Sequence, residues 1–113
     1  MKIPKIKYWC TALTPEQYQE FERTRRIEVS ERITIDITTG TASGRTCVPL
    51  SASVTGADQL LRDRSRWRDS VYVLRIAADQ LDRAHIYAAG DQVWEYRHSM
   101  HIPHCGVERV ELA

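Results

Sequence analysis

The chain has 113 residues, with 16 lysines and arginines against 15 aspartates and glutamates, and 42% of its residues are hydrophobic. A chain of this length can bury one hydrophobic core and is short for two ordinary domains, so we expect a single domain over residues 1–113. The net charge of +1 excludes binding of nucleic acid or an anionic membrane by bulk charge alone.

The three cysteines, Cys10, Cys47 and Cys105, are odd in number and widely spaced, and they form no CxxC pair. This usage is typical of reduced thiols in a reducing compartment, and we expect a cytoplasmic protein. The basic N-terminal residues precede no apolar segment, and no window approaches 18 apolar residues. The sequence therefore predicts neither a signal peptide nor a membrane-spanning segment.

A helix over residues 15–25 has the clearest local signal. Thr14 supplies a capping hydroxyl, Pro15 stands at the first helical position, and Gln17 stands where a capping box needs its second partner. Its predicted buried face carries two aromatic residues, Tyr18 and Phe21. A second helix is predicted from residue 55 to about 67, with Thr55 as its cap and Asp58 in its first turn.

The remaining pattern is mostly that of strands. A strand precedes the first helix at residues 3–12, and further strands are predicted at 32–38, 47–51, 71–77, 85–88, 92–97 and 107–112. The run at 71–77 is the most apolar and is predicted to be central, whereas Pro49 favours an edge or irregular position for its strand. Residues 27–29 are predicted as a short partner of strand 32–38.

The connections are predicted from polar and turn-forming residues. Residues 38–44 form a polar loop, residues 79–82 a single helical turn, and Gly90 and Asp91 a turn between two late strands. Two helices among many strands predict an α+β fold with mixed, mostly antiparallel sheets.

Two clusters of side chains leave alternatives open. Four metal-ligand types lie within eight residues at His98, His101, His104 and Cys105; Pro103 prevents a regular helix there, so they form either a tailored metal loop or a polar connection. Four arginines alternate near the second helix, at Arg62, Arg64, Arg66 and Arg68. They indicate a solvated helix, with phosphate binding by one or two of them as the alternative.

Several short motifs occur in a familiar order: residues 8–11 in the first strand, Ser51-Ala52-Ser53 before a helix, the apolar run at 71–77, residues 93–96 in a late strand, and His101-Ile102-Pro103 before the last strand. This order resembles the ADP-ribosyltransferase fold, which NAD-consuming toxins and RNA 2′-phosphotransferases share. The resemblance covers most of the chain.

The resemblance implies that NAD is consumed and that ADP-ribose passes to a macromolecular acceptor, as in bacterial toxins or effectors, with an inhibitory partner protein for such a toxin. Glu95 would stabilise the oxocarbenium-like transition state, and it would face a cleft while Trp94 and Tyr96 point into the core. Its implied helpers are Ser51 and Ser53, which orient the carboxylate, Tyr8 or Tyr87, which stacks on nicotinamide, and the backbone near Cys10 and Thr11, which binds the carboxamide. We expect Glu95→Gln to remove NAD turnover with little effect on stability.

Two departures from the family pattern keep other functions open. Trp9 stands where the family usually has histidine or arginine, which favours a non-catalytic protein-interaction module on the same fold. Val93 stands where arginine-modifying members carry glutamate or glutamine, so arginine is a less favoured acceptor. An RNA 2′-phosphotransferase-like enzyme would need basic residues at the RNA, for which Arg45, Arg68, Arg97 and His98 are available.

Overall fold

The computed structural model describes residues 3–27, 30–35, 42–65 and 67–111. The strands in these ranges are β1 (Tyr8–Leu13), β2 (Arg26–Ile27), β3 (Ser30–Ile35), β4 (Ala42–Leu50), β5 (Val71–Ala77), β6 (Ile86–Gly90), β7 (Val93–Tyr96), β8 (Met100–His101) and β9 (Gly106–Val110). The helices are α1 (Pro15–Thr24) and α2 (Val54–Ser65), and two short 3₁₀ turns occupy Ala78–Gln80 and Arg83–His85.

Helix α1 begins as predicted. The Thr14 hydroxyl accepts a hydrogen bond from the Gln17 amide at 3.3 Å, and the Gln17 side chain accepts one from the Thr14 amide at 3.0 Å. The helix ends at Thr24, where Arg25 adopts a left-handed backbone with φ of 56°. Because both capping partners lie within four residues, the position at which this helix begins depends little on the rest of the chain.

The first sheet has the order β1-β5-β9, and both of its strand pairs are antiparallel. Strand β5 is therefore central, as its apolar run predicts. Strand β1 begins only at Tyr8, so the predicted strand at residues 3–12 was too long. Pro4 lacks the amide hydrogen that a strand ladder needs, and Ile3 and Ile6 instead pack against the core from an irregular segment.

The second sheet has the order β3-β4-β7-β6, and its described pairs are all antiparallel. The predicted loop at 38–44 was wrong for residues 42–44, which form the start of β4 and pair with Ile33, Thr34 and Ile35. A neighbouring strand satisfies their backbone groups despite their loop-like composition. Residues 36–41 lie outside the described residues; they include the end of the predicted strand 32–38 and the rest of the predicted loop.

Strand β2 pairs with β8, so Ile27 lies opposite Met100 and not opposite the predicted strand 32–38. Residues 28 and 29 lie outside the described ranges. Strand β8 was not predicted, since two residues carry no periodicity. In the same half of the chain the predicted turn at Gly90 and Asp91 falls at Asp91 and Gln92.

The main core lies between the two sheets. It unites apolar side chains from β1, β5, α1, the second sheet, β8 and two connecting segments, namely Trp9, Leu13, Phe21, Val48, Leu50, Leu74, Ile76, Leu81, Ile86, Trp94, Tyr96, Met100 and Ile102. On the opposite face of the first sheet, α2 covers a smaller cluster of Cys10, Ala57, Val71 and Val73. Helix α1 packs beside the first sheet, where Tyr18 stacks on Tyr72 with ring centroids 4.2 Å apart.

The arginines near α2 do not form a uniformly solvated set. Arg62 is buried, with 8% of its surface exposed, and it binds Asp58 and backbone carbonyls. It is therefore committed to the fold and not to a phosphate. Arg68 is exposed, in keeping with the prediction, and the side chains of Arg64 and Arg66 lie outside the described part.

Candidate functional site

The strands that carry the predicted catalytic residues are hydrogen-bonded neighbours. Pro49 of β4 lies opposite Glu95 of β7, and Leu50 lies opposite Trp94. Ser51, the next residue after β4, exchanges two backbone hydrogen bonds of 2.8 Å with Cys10 of β1. The fold thus brings together three segments that are far apart in the sequence, since at least 41 positions separate Cys10 from Ser51 and Ser51 from Glu95.

Glu95 lies on the face of β7 that points away from the main core. Trp94 and Tyr96 flank it and are buried in that core, as strand alternation predicts. Glu95 is itself buried, with 4% of its surface exposed, which corrects the expectation of a carboxylate open to a cleft. This burial also argues against the small effect on stability that the sequence predicts for Glu95→Gln, because removing one charge from a buried ion pair is costly.

Two side chains from the same sheet face surround Glu95. Tyr87 of β6 lies directly opposite it in the strand register. Arg97 follows Glu95 by two residues, and its Nε donates to Glu95 Oε2 over 3.4 Å. The Arg97 guanidinium also lies 4.0 Å from the centroid of the Tyr87 ring. One face of Tyr87, the predicted nicotinamide platform, is therefore covered by Arg97.

The two serines lie at the start of α2. Ser53 caps the helix, because its hydroxyl accepts a hydrogen bond from the Gly56 amide at 3.0 Å. The helix begins at Val54, so the predicted cap at Thr55 was wrong, and Asp58 lies beyond the first turn and pairs with Arg62. Ser51 is buried, and its hydroxyl accepts from the Ser53 amide at 3.4 Å.

Gly56 approaches both serines closely enough to exclude a side chain. A Cβ atom at this position would overlap the Ser51 hydroxyl and would lie 2.9 Å from that of Ser53. We expect Gly56→Ala to lower the free energy of unfolding by about 1–2 kcal/mol, although alanine is the better helix former. Urea unfolding of Gly56→Ala in the wild-type and Ser51→Ala backgrounds tests this. An equal loss in both backgrounds would contradict the overlap, because Ser51→Ala removes the nearest atom.

A groove of about 390 Å³ opens between the start of α2 and the turn that joins β6 to β7. Most of the surface that it exposes is carbon, with two carboxylates, two amides and two hydroxyls among the side chains that line it, and its residues are Ser51, Ala52, Ser53, Gly56, Gln59, Leu60, Asp63, Asp91, Gln92 and Val93. Val93 shares the outward face of β7 with Glu95, so the carboxylate lies one step along the strand from the groove. The volume falls within the range of small-molecule sites.

A second groove of about 400 Å³ lies between α1 and β2, with an apolar floor of Leu13, Phe21 and Ile27. It is as large as the first groove, so volume does not distinguish the two. None of the predicted site residues lines it. The groove beside Ser51 is therefore the better candidate for a site, because Ser51 and Ser53 line it.

The predicted NAD-binding residues of β1 are not gathered at this groove. Tyr8 is 53% exposed at the start of β1, opposite Ala77. Cys10 packs under α2, and its amide hydrogen already bonds Ser51, so it has no free backbone donor for a carboxamide. Thr11 is buried, and its strand position pairs it with Leu74 of β5. Of these three residues, Cys10 is the one whose backbone bonds a groove residue, Ser51.

The described thiols are poorly suited to nucleophilic chemistry. Burial raises the pKa of the Cys10 thiol, and the nearby Arg75 only partly offsets this. Burial likewise raises the pKa of Cys105, against the opposing effect of Arg25. Both thiols are therefore protonated at neutral pH, and a protonated thiol is a weak nucleophile.

The residues from His98 to Cys105 diverge. His98 stacks on His85 with ring centroids 4.8 Å apart, and its Nδ1 pairs with the Ser99 carbonyl at 2.9 Å. His101 lies in β8, the His104 carbonyl accepts from Gln80, and Cys105 packs against the main core. Within the described part of the chain, no three histidine, cysteine, aspartate or glutamate side chains are grouped so that they could hold a metal ion.

Sequence reasoning left Arg97 without a role and missed Gln59, Asp63, Asp91 and Gln92 as groove residues. For Arg97 a usable signal existed, because residues two apart in a strand share a face and Arg97 follows Glu95 by two. The groove residues carry no such signal, since α2 and the β6–β7 turn meet only through the tertiary fold.

The described residues define an α+β protein with two helices and antiparallel sheets. The chain matches no protein-family model, no characterised protein sequence and no solved structure. Neither helix in the described ranges has the length and apolar character needed to cross a membrane.

Proposed function

We propose that this protein is an ADP-ribosyltransferase-like enzyme that transfers ADP-ribose from NAD to a macromolecular acceptor. The observation that carries the proposal is the buried Glu95 carboxylate on the strand next to the one that leads into Ser51, beside a groove of ligand size. The order of motifs along the chain adds to it. The free thiols of Cys10 and Cys105 support a reducing compartment such as the cytoplasm.

In the proposed reaction the bond between ribose C1′ and the nicotinamide nitrogen breaks, and its electron pair leaves with nicotinamide. A nucleophilic atom of the acceptor forms the new bond to C1′ and loses its proton. Glu95 would stabilise the positive charge that develops on the ribose, which a fixed carboxylate does most effectively away from water. Ser51 would bind the substrate at the groove wall.

The charge of the groove fits one half of the substrate better than the other. Asp63 and Asp91 lie in its wall, and among the described side chains that line it there is no lysine or arginine. Carboxylates favour the positively charged nicotinamide ring and disfavour the diphosphate. The amides of Gln59 and Gln92 offer donors and acceptors for the carboxamide and ribose hydroxyls. The same acidity makes an RNA phosphate a poor occupant of this groove.

The test is release of nicotinamide from NAD by the purified protein, with and without cell lysate as the source of acceptor. We expect Glu95→Gln to lower the rate by about 100-fold or more, because a neutral amide cannot stabilise the developing charge. Glu108→Gln is the matched control, since Glu108 is an exposed strand glutamate in β9 and should leave the rate unchanged. Circular dichroism and a thermal melt establish that each variant is folded.

Full activity in folded Glu95→Gln would overturn the assignment of this carboxylate. No release from the wild-type protein, together with no thermal shift on addition of NAD, would overturn the enzyme proposal. The non-catalytic interaction module would then be the better description of the chain.

A further inference from the structure

We infer that Arg97, stacked on the ring of Tyr87, is a positioning residue for Glu95 in the proposed reaction. The inference rests on the proposed function. It assigns Tyr87 a role different from the nicotinamide platform that the sequence predicts, because Tyr87 would act on the catalytic carboxylate through Arg97 and not on the substrate.

The strand register sets the three side chains side by side. Tyr87 lies opposite Glu95, and Arg97 lies on the same face of the sheet as Glu95 because it follows by two residues. The Arg97 amide donates to the His85 carbonyl at 2.9 Å, which extends the pairing of β6 and β7 past Tyr96. The Arg97 backbone is therefore fixed at the end of the ladder, and its side chain is directed along the sheet face.

Two contacts then hold the Arg97 side chain. Its Nε reaches Glu95 Oε2 over 3.4 Å, and its guanidinium carbon lies 4.0 Å from the Tyr87 ring centroid. A planar guanidinium can donate along its edge while its face rests on an aromatic ring, and a lysine ammonium cannot do both. Arg97 is 37% exposed and Glu95 is nearly covered, so the ion pair joins a buried carboxylate to the surface.

A buried carboxylate needs this kind of partner for two reasons. Removing an ionised carboxylate from water is costly unless an opposite charge or hydrogen bonds compensate it. Stabilisation of a developing positive charge also requires the carboxylate to be ionised and held in a fixed direction before the reaction. Arg97 is permanently charged and fixed on Tyr87, so it serves both needs. Glu95 also makes a further interaction, so Arg97 is one part of its environment.

Steady-state kinetics of nicotinamide release separate positioning from substrate binding. For Arg97→Met we expect kcat to fall by about 10-fold or more with KM within about two-fold of wild type, because the lost interaction acts on the transition state. Arg97→Lys should recover part of kcat. Tyr87→Leu removes the ring that supports Arg97 and should lower kcat by several-fold, whereas Tyr87→Phe keeps the ring face and should lower kcat much less than Tyr87→Leu. Arg97→Lys and Tyr87→Leu keep the inference testable if Arg97→Met does not fold.

The pair can also be measured without the reaction, in a double-mutant cycle of urea unfolding with Glu95→Gln and Arg97→Met. We expect the effect of Arg97→Met on the unfolding equilibrium constant to be at least about five-fold smaller once Glu95 is neutral. The matched control is Arg109 with Glu111, an exposed pair of the same spacing at the end of β9 with an ion-pair distance of 3.0 Å. The effect of Arg109→Met on the unfolding equilibrium constant should be nearly the same with and without Glu111→Gln, as for most exposed pairs.

The outcomes separate the two proposals. Nicotinamide release that falls in kcat alone, with coupling in the cycle, supports the positioning role. If Arg97→Met leaves the rate of release unchanged, the positioning role is overturned. It is also overturned if Tyr87→Leu and Arg97→Met change only KM. Either result leaves the proposed function intact. No release from the wild-type protein overturns the proposed function, and the positioning role of Arg97 in the reaction with it.

Discussion

Replacing Arg62 with methionine is expected to lower the free energy of unfolding by about 3–5 kcal/mol, as the loss of one partner from a buried ion pair usually does. Arg62 lies in α2, and its Nε donates to Asp58 at 2.8 Å. One terminal nitrogen donates to the Asp69 carbonyl at 2.7 Å and to the Trp67 carbonyl at 3.3 Å. The other reaches the Val110 carbonyl of β9 at 3.5 Å.

The size of this effect follows from what the variant leaves behind. Methionine fills much of the same volume but satisfies neither the Asp58 carboxylate, which is only 18% exposed, nor the three carbonyls, and polar groups that lose a partner where water has little access are costly. Arg62→Lys keeps the charge without the planar guanidinium, so its free energy of unfolding should lie between those of the wild-type protein and Arg62→Met. The double variant Asp58→Ala with Arg62→Met should be less destabilised than Arg62→Met alone, because the unpaired carboxylate is gone.

Urea unfolding followed by circular dichroism measures these differences. Arg68→Met is the matched control, since it removes an exposed arginine from the connection that follows α2 and should change stability by less than about 0.5 kcal/mol. If Arg62→Met costs no more than Arg68→Met, Arg62 does not tie α2 to β9 as the structure shows.

Arg62 also illustrates why part of this fold could not be predicted. Alternating arginines with nearby aspartates indicate a solvated helix from local sequence, but Arg68 lies beyond the end of α2, and only its exposure agrees with that prediction. The carbonyls that bind Arg62 include one that lies 48 residues away. No periodicity within the helix reports such a partner.

The elements that were predicted correctly are those with local causes. Helix α1 follows from the capping pair Thr14 and Gln17, and the central position of β5 follows from its apolar run. Strand pairing has distant causes instead. Residues 42–44 look like a loop and yet join β4, because β3 supplies their hydrogen bonds.

The candidate site shows the same division. Strand alternation correctly sent Trp94 and Tyr96 to the core and Glu95 to the other face. Alternation cannot tell whether the other face is open or covered, so the burial of Glu95 was not predicted. Ser53 was singled out as a catalytic helper, but its hydroxyl caps α2, which begins one residue after it.

The second large effect is expected at Trp9, where alanine should lower the free energy of unfolding by about 3–5 kcal/mol, as usual for the loss of a large buried aromatic side chain. Trp9 is 2% exposed in β1, and its ring meets that of Trp94 in β7 edge to face, with centroids 5.2 Å apart and planes at 67°. This contact joins the two sheets across the main core. Trp9→Phe keeps an aromatic ring there and should cost clearly less.

A double-mutant cycle with Trp94→Ala isolates the ring contact. The two single losses should sum to about 0.5–1.5 kcal/mol more than the loss in the double variant, which is the usual value of an aromatic pair beyond its buried area. Tyr8→Ala, at the exposed neighbouring position of β1, should cost little and serves as the control. A loss at Trp9 no larger than at Tyr8 would contradict the packing of the sheets.

Because Trp94 directly precedes Glu95, folded Trp9→Phe also tests whether the inter-sheet contact helps to hold the proposed catalytic strand. If it does, nicotinamide release should fall more in Trp9→Phe than in Tyr8→Ala.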